Sequence, residues 1–328
     1  MSGPAERLPA LPAFGLGGAG LGNLFRAVTD EAAESTLRTA WDGGVRLFDT
    51  APHYGLGLSE RRFGRVLGEH SRSEYLLSTK VGRLLDPVDG PVGDDLANGF
   101  DVPASRVRRW DASRDGIRRS LDASRERLGI DEIDLAFLHD PDENDEADGL
   151  RVGLPALAGI REDGEVRAVG VGSKSTRTLI DFVAAGDLDV IMMSGRYTLL
   201  EQPAAEELLP LCLSRGVAVI AVSVYNSGLL ASLRVPEDAP YEYGAAPREL
   251  IERARRIAEV CERHGTDLPT AALHFPLRHP AIGSVIVGAA SPEQARSNVD
   301  RMAATVPDEL WPELVAAGLL RAELAGAR

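Results

Sequence analysis

The chain has 328 residues, 44% hydrophobic and 26% charged, with 36 basic side chains against 50 acidic ones and a formal charge of −14. This balance argues against nucleic acid or an anionic membrane as a partner, and no apolar run approaches the ~20 residues of a membrane helix. Residues 1–15 show no basic flank before an apolar stretch, so no signal peptide is read, and Cys212 and Cys261 are too few for a disulfide framework; both features suit a cytoplasmic globular protein.

Length alone allows about two domains of ~150 residues, but the apolar pattern repeats without a break or linker. Strands are expected at 13–17, 45–49, 75–80, 133–139, 166–171, 188–193, 217–222 and 284–287. Amphipathic helices are expected at 31–40, 59–69, 112–128, 154–161, 176–185, 204–215, 248–263 and 292–302. The last has the strongest start signal: Ser291 as cap, Pro292 in the first turn and Gln294 closing a capping box. Residues 133–139 and 217–222 are apolar throughout, which suits parallel strands covered on both faces. Eight strand-then-helix units point to one α/β domain spanning 1–328, a closed (β/α)8 TIM barrel, with an open doubly wound sheet as the competing architecture. Long loops at 81–111 and 223–247 follow strands three and seven, on the face where such barrels keep their sites. Residues 308–325 read as an extra C-terminal helix, and the acidic run 140–148 as a solvated loop.

Unlike polar groups stand at the ends of three neighbouring strands. Strand two ends at Asp49 and leads to Tyr54, strand three ends at Lys80, and strand four ends at His139. Lys80 is notable because only two of the 36 basic residues are lysine, the other being Lys174. Each residue alone also fits a structural role, as cap, loop aromatic, edge cation or packed histidine. Together they bring a carboxylate, a phenol, an ammonium and an imidazole to one barrel mouth. A phenol is a poor acid or base at neutral pH, but a nearby ammonium favours its phenolate, and Asp49 would hold that ammonium in a partly dry site. His139 could hydrogen-bond a substrate oxygen. The set suits moving a proton on or off an oxygen while chemistry proceeds at the attached carbon. Trp110, closing the third loop, is either a packing anchor or a wall of the substrate pocket.

Three further patterns carry less. Residues 15–20 fit G-x-G-x-x-G, but no helix is expected directly after them, so their glycines read as a small-residue loop in which Gly17 and Gly18 approach a cofactor by being small. Residues 172–175 lack the Gly-Lys-Ser/Thr of a phosphate-binding loop. Residues 139–142 suggest a metal site only weakly, since no second histidine is placed to join them; no metal is expected.

The runs Phe48-Asp49-Thr50-Ala51-Pro52-His53-Tyr54-Gly55 with Ser59-Glu60, Ser78-Thr79-Lys80-Val81-Gly82 and Leu138-His139-Asp140 resemble the aldo-keto reductases. So do Val169-Gly170-Val171-Gly172-Ser173 and Ile286-Val287-Gly288-Ala289 with Gln294 and Asn298. The glycine-rich first loop, residues 54–60, 139–142 and 196–200 are similar to that family's bacterial aldose 1-dehydrogenase branch. The resemblance implies a catalytic tetrad of Asp49, Tyr54, Lys80 and His139, with Tyr54 as general acid/base, and Tyr54, His139 and Trp110 against the substrate. It implies an NAD(P) cofactor contacted by Gly17, Gly18, Asp49, Ser173, Gly288, Ala289, Gln294 and Asn298, the last four holding its phosphate and adenosine end. The implied reaction is oxidation of an aldose of the L-fucose, L-galactose or D-arabinose type at C1 to a lactone, with pyridoxal or another small aldehyde as the alternative substrate. A monomer or small homo-oligomer is expected.

The chain departs from the family pattern at several points. Lys174 replaces an asparagine after strand five, Ser194 a glutamine, and Val222 the aromatic that stacks on nicotinamide, for which Tyr225 or Tyr197 is the substitute. No cation stands at Gly288 for an adenosine 2′-phosphate, which favours NAD slightly over NADP, although Arg296 is close. Two other classes stay open on the residues: a Schiff-base aldolase using Lys80, and a non-catalytic cofactor-binding subunit.

Overall fold

The computed structural model describes residues 8–90, 93–242 and 244–326. Eight parallel strands, β1 (Phe14–Gly17), β2 (Leu47–Asp49), β3 (Leu76–Val81), β4 (Leu135–His139), β5 (Ala168–Ser173), β6 (Val190–Ser194), β7 (Ala218–Val222) and β8 (Ile282–Gly288), follow one another around a closed barrel. β1 pairs with both β2 and β8, so the sheet has no edge and the open doubly wound alternative is excluded.

Around the barrel run α1 (Asp30–Asp42), α2 (Leu58–Leu67), α3 (Arg114–Leu128), α4 (Leu154–Glu162), α5 (Thr176–Ala185) and α6 (Leu208–Arg215). They continue as α7 (Arg248–Arg263), α8 (Leu268–His274), α9 (Pro292–Ala303) and α10 (Leu310–Ala316). Side-chain caps start several of them: Thr29 for α1, Ser113 for α3, Ser175 for α5 and Ser291 for α9 each accept a hydrogen bond from a first-turn backbone N–H. The short helix α8 escapes a periodicity reading because six of its seven residues are buried and show no polar face. Its signals are local, the Asp267 cap and Pro269 in the first turn.

Alternation along the strands positions the site. Leu47, Leu135, Phe137, Val190, Met192, Ile220 and Ile286 fill the barrel interior, with Leu8 and Leu11 packed against them. Counting in twos from the interior residues, Leu47 is followed by Asp49, Leu76 by Ser78 and Lys80, and Phe137 by His139. The polar groups are therefore the last inward-facing layer, directly above a dry plug. The opposite strand faces pack on the helices through residues such as Phe48, Leu77, Leu138 and Val171.

Two expectations about loops need correction. Residues 81–111, expected as a long loop, hold regular structure: Arg83–Pro87 and Arg106–Trp110 form an antiparallel ribbon with Arg83 opposite Trp110, and Asp94–Asp95 pairs with Phe100–Pro103. Burial alternates along Arg106–Trp110, but residue type does not, since the exposed positions hold Val107 and Arg109, so the sequence shows no period-two signal there. The C-terminal helix expected at 308–325 ends at Ala316, because Gly318 turns left-handed with φ 67°, and a short 3-10 turn at Ala322–Leu324 follows. The described residues of the loop after β7 are mostly irregular, with one two-residue pairing of Pro240–Tyr241 against Gly244–Ala245.

Candidate active site

Asp49 and Lys80 form an ion pair inside the barrel mouth, 3% and 2% exposed. Burial of two charges is tolerated here because both are further bonded: Ser78 Oγ donates to Asp49 Oδ1 at 2.5 Å, and Lys80 Nζ donates to the Thr50 carbonyl at 3.2 Å. Two of the three donors of this buried ammonium are thus spent on Asp49 and Thr50, an arrangement that keeps the amine charged and does not favour the Schiff-base alternative. Nζ also lies 5.9 Å from the centroid of the Tyr54 ring and 5.4 Å from that of Phe137. His139 stands edge-on to Tyr54, ring centroids 5.9 Å apart and planes at 84°. The four tetrad residues therefore converge.

Tyr54 is held by a tight backbone contact. Gly22 of the first loop sits against the Tyr54–Gly55 peptide, so that a Cβ on Gly22 would lie 2.7 Å from the Tyr54 carbonyl carbon. A Cβ on Gly55, itself at φ +62°, would lie 2.2 Å from the Gly22 carbonyl oxygen. The glycine-rich run at 15–22 accordingly serves close packing around the phenol's loop, and it leads into a 3-10 turn at Gly20–Gly22 rather than the helix a dinucleotide fingerprint needs. Gly18 is small for the same reason, since Ser59 Oγ and Phe63 fill the space its Cβ would take.

Burial and surrounding cations set the protonation of the imidazoles. Desolvation, then the charges of Arg83, Lys80 and Arg108 and the neighbouring His53, hold His139 well below the usual histidine range, so it acts as a neutral ring. Its buried Nδ1 has no hydrogen-bond partner among the described residues, and its Nε2 lies 3.3 Å from Asp140 Oδ2. Asp140 is pushed up to about 6 by burial, against the pull of Arg83, which donates to it at 2.6 Å.

That interaction corrects the reading of 140–148 as a solvated loop at its first residues, while Glu143, Asn144, Asp145 and Ala147 are exposed as expected. Arg83 is 5% exposed and bonds both Asp140 and Glu143, while Asp142 accepts from Ser173 Oγ at 2.7 Å. Among the described residues no group of three or more His, Cys, Asp and Glu side chains is placed to hold a metal ion. Trp110 packs under the Arg83 guanidinium, 4.3 Å from its carbon, and lines a cavity of about 290 Å³ with Gly82, Leu138 and Asn144. None of Asp49, Tyr54, Lys80 and His139 lines that cavity, so the structure places Trp110 as a packing anchor for Arg83 and not against the tetrad.

Across the mouth, Gly17 pairs with Asp49 on one side and Gly288 on the other, linking the tetrad to the end of β8. Gly288 is exposed, and Ala289 lies buried beside it. Asn298 Nδ2 donates to the Gly288 carbonyl at 3.4 Å, Tyr225 donates to Asn298 Oδ1 at 3.4 Å, and Gln294 Oε1 accepts from Ala290 N at 2.8 Å. Small residues, an exposed strand end and the capped N-terminus of α9 fit the phosphate end of a dinucleotide. Ser173, at the C-terminal end of β5, accepts from Ser175 N and donates to Asp142. Tyr197 cannot supply a ring to a cofactor: it is 2% exposed and stacked on Phe275 with centroids 5.0 Å apart. Tyr225, on the β7 loop, is half-buried with its hydroxyl against Asn298.

Several site neighbours carry no signal of a role in the sequence. His53 lies 5.6 Å from His139 and 6.2 Å from Tyr54 between ring centroids, and Phe100 packs on both His53 and Tyr54. Arg108 and Asp95 reach the same spot from the β3–α3 ribbon. His53 is detectable only as Tyr54's neighbour; the other three arrive through folding of the ribbon.

An eight-stranded barrel with this buried ion pair, phenol and imidazole defines a class of oxidoreductase. Residues 13–318 match the aldo/keto reductase family, and the chain belongs to it, an NAD(P)-dependent oxidoreductase. It is 48% identical to D-threo-aldose 1-dehydrogenase of a Pseudomonas species over 313 residues, covering 95% of each chain. It is 37% identical to pyridoxal 4-dehydrogenase of Microbacterium luteolum over 94% of each chain. An aldo-keto reductase of Bacillus halodurans superimposes with a TM-score of 0.74 at 25% identity, covering 96% of this chain and 93% of that one.

Proposed function

We propose that the protein oxidises an aldose at C1 to the lactone, with Tyr54 taking the proton of the anomeric hydroxyl. The observation that carries this reading is the Lys80 ammonium, paired with Asp49 and 5.9 Å from the Tyr54 ring centroid. A cation so close favours the phenolate, which can accept a proton at neutral pH. Neutral His139 binds the substrate oxygen through an N–H and orients it toward Tyr54. A bound nicotinamide dinucleotide supplies the acceptor for the hydride leaving C1. Gly17, Gly18, Asp49 and Ser173 would lie along its nicotinamide half, and Gly288, Ala289, Gln294 and Asn298 along its phosphate and adenosine half, where Tyr225 bonds Asn298. The preference for an aldose over pyridoxal rests on the higher identity to the aldose enzyme, 48% against 37%.

NAD is the preferred nucleotide in this reading. No cationic side chain stands at Gly288, Ala289 or Gln294 to receive a 2′-phosphate. Arg296, the nearest arginine in sequence, lines a groove between α1, α8 and α9 with Thr39, Glu293 and Asp300 that does not include Gly288. Titration with NAD and NADP, followed by nicotinamide fluorescence, and turnover of L-fucose, L-galactose, D-arabinose and pyridoxal test the reading together. Tighter NAD binding with aldose turnover is expected; failure to bind either nucleotide overturns it.

A further inference from the structure

His53 is held in a way the proton transfer at Tyr54 does not require. Arg108 Nε donates to its Nδ1, and Arg108 Nη2 donates to its backbone carbonyl at 3.2 Å. The same guanidinium is clamped by Asp95, 4% exposed, through two bonds of 2.8 and 2.6 Å, and Asn98 Nδ2 donates to Asp95 Oδ1 at 2.8 Å. A guanidinium N–H can only donate, so Nδ1 of His53 must accept, and the ring proton must sit on Nε2. Among the described residues Nε2 has no hydrogen-bond partner, while the ring is half-buried beside Phe100, Tyr54 and His139. A fixed, unspent donor therefore lies beside the rings of Tyr54 and His139. Its ring centroid is 5.6 Å from that of His139, close enough for one molecule bound at Tyr54 and His139 to present its neighbouring oxygen to it.

Resting on the aldose reading above, we infer that His53 binds the hydroxyl next to the reacting carbon and selects hydroxylated substrates over plain aldehydes, with Arg108 and Asp95 as its positioning pair. Burial and the charges of Arg83 and Arg108 push the His53 pKa down to about 3, so the donor stays neutral through the working range and adds no positive charge beside Tyr54. The β3–α3 ribbon then has a chemical role, because it carries the arginine that chooses the tautomer.

The decisive measurement is the ratio of kcat/KM for an aldose to that for its 2-deoxy counterpart. In the wild type the ratio should favour the aldose roughly tenfold, the effect of one hydrogen bond, and H53F should bring it close to one by lowering only the aldose term. R108M should lower it partly, whereas a purely structural arginine would lower both substrates alike. Nitrogen-15 spectra of the wild-type imidazoles give an independent readout: His53 is expected with Nδ1 unprotonated. An Nδ1–H ring, or a ratio that H53F leaves unchanged in an enzyme active on aldoses, overturns the inference. An enzyme inactive on every aldose overturns the reading of the reaction instead.

Discussion

Lys80 shows how one residue ties stability to chemistry. Its ammonium is buried with Asp49, so removing it strands a carboxylate that only Ser78 then supports. K80M should therefore lose about 3–5 kcal/mol in urea unfolding as well as turnover, while a D49N/K80M pair should regain part of that stability without regaining activity. Tyr54 is the opposite case, a half-buried phenol whose hydroxyl matters for the reaction more than for the fold. Y54F should cut kcat by roughly 10²–10⁴ and leave nucleotide affinity, read by fluorescence titration, unchanged. Equal loss of binding and turnover would show that the phenol holds the cofactor rather than the proton. Both residues are legible in the sequence because rare residue types stand at the ends of apolar strands. His53 is not, since nothing in its neighbours signals that an arginine 55 positions away fixes its ring.

At the scale of elements, three loops are locked over Tyr54. Gly22 abuts the Tyr54–Gly55 peptide, Asn23 Nδ2 donates to the Asp101 carbonyl at 3.1 Å, and Phe25 N donates to the Gly99 carbonyl at 2.8 Å. The first loop thus binds both the β2–α2 loop and the β3–α3 ribbon. G55A combines a left-handed backbone with a methyl carbon 2.2 Å from a carbonyl oxygen, so the backbone must move. It should cost about 1–3 kcal/mol and depress kcat beyond that loss, measured on protein still folded at the assay temperature. Unchanged kcat would mean that the phenol's position does not depend on this contact. Sequence patterning finds the strands because they are short apolar runs, and most helices because their burial is periodic. It misses the ribbon at 83–110 and helix α8, one reading as loop length and the other buried almost all round.

For the whole molecule, charge and pH follow from the mouth. Two imidazoles, His53 and His139, have folded pKa values below their usual value of 6.5, so the unfolded chain binds more protons than the native one as pH falls below that value. Their stabilising contribution is present above about pH 6.5 and is lost as the solution is acidified. Asp140, raised to about 6, acts in the opposite sense between that pH and the ordinary carboxylate range, but it is one group against two. Unfolding free energy should drop by a few kcal/mol between about pH 7 and about pH 4, and H53F should flatten part of the slope. A profile that is flat, or identical in the variant, would show that the histidines titrate in the native state near their free values.

The barrel is legible in the chain's own succession of short apolar runs and amphipathic helices, and the family in the motif runs 48–55, 78–82 and 138–140, all local properties of the chain. What only the tertiary structure decided is which ring nitrogen of His53 carries the proton, why the first loop is glycine-rich, and that Tyr197 belongs to the core rather than the cofactor groove. Those outcomes depend on contacts between segments tens of residues apart, made when the barrel closes and its loops pack on one another. No local pattern encodes such contacts, since each partner reads as ordinary until the other is beside it.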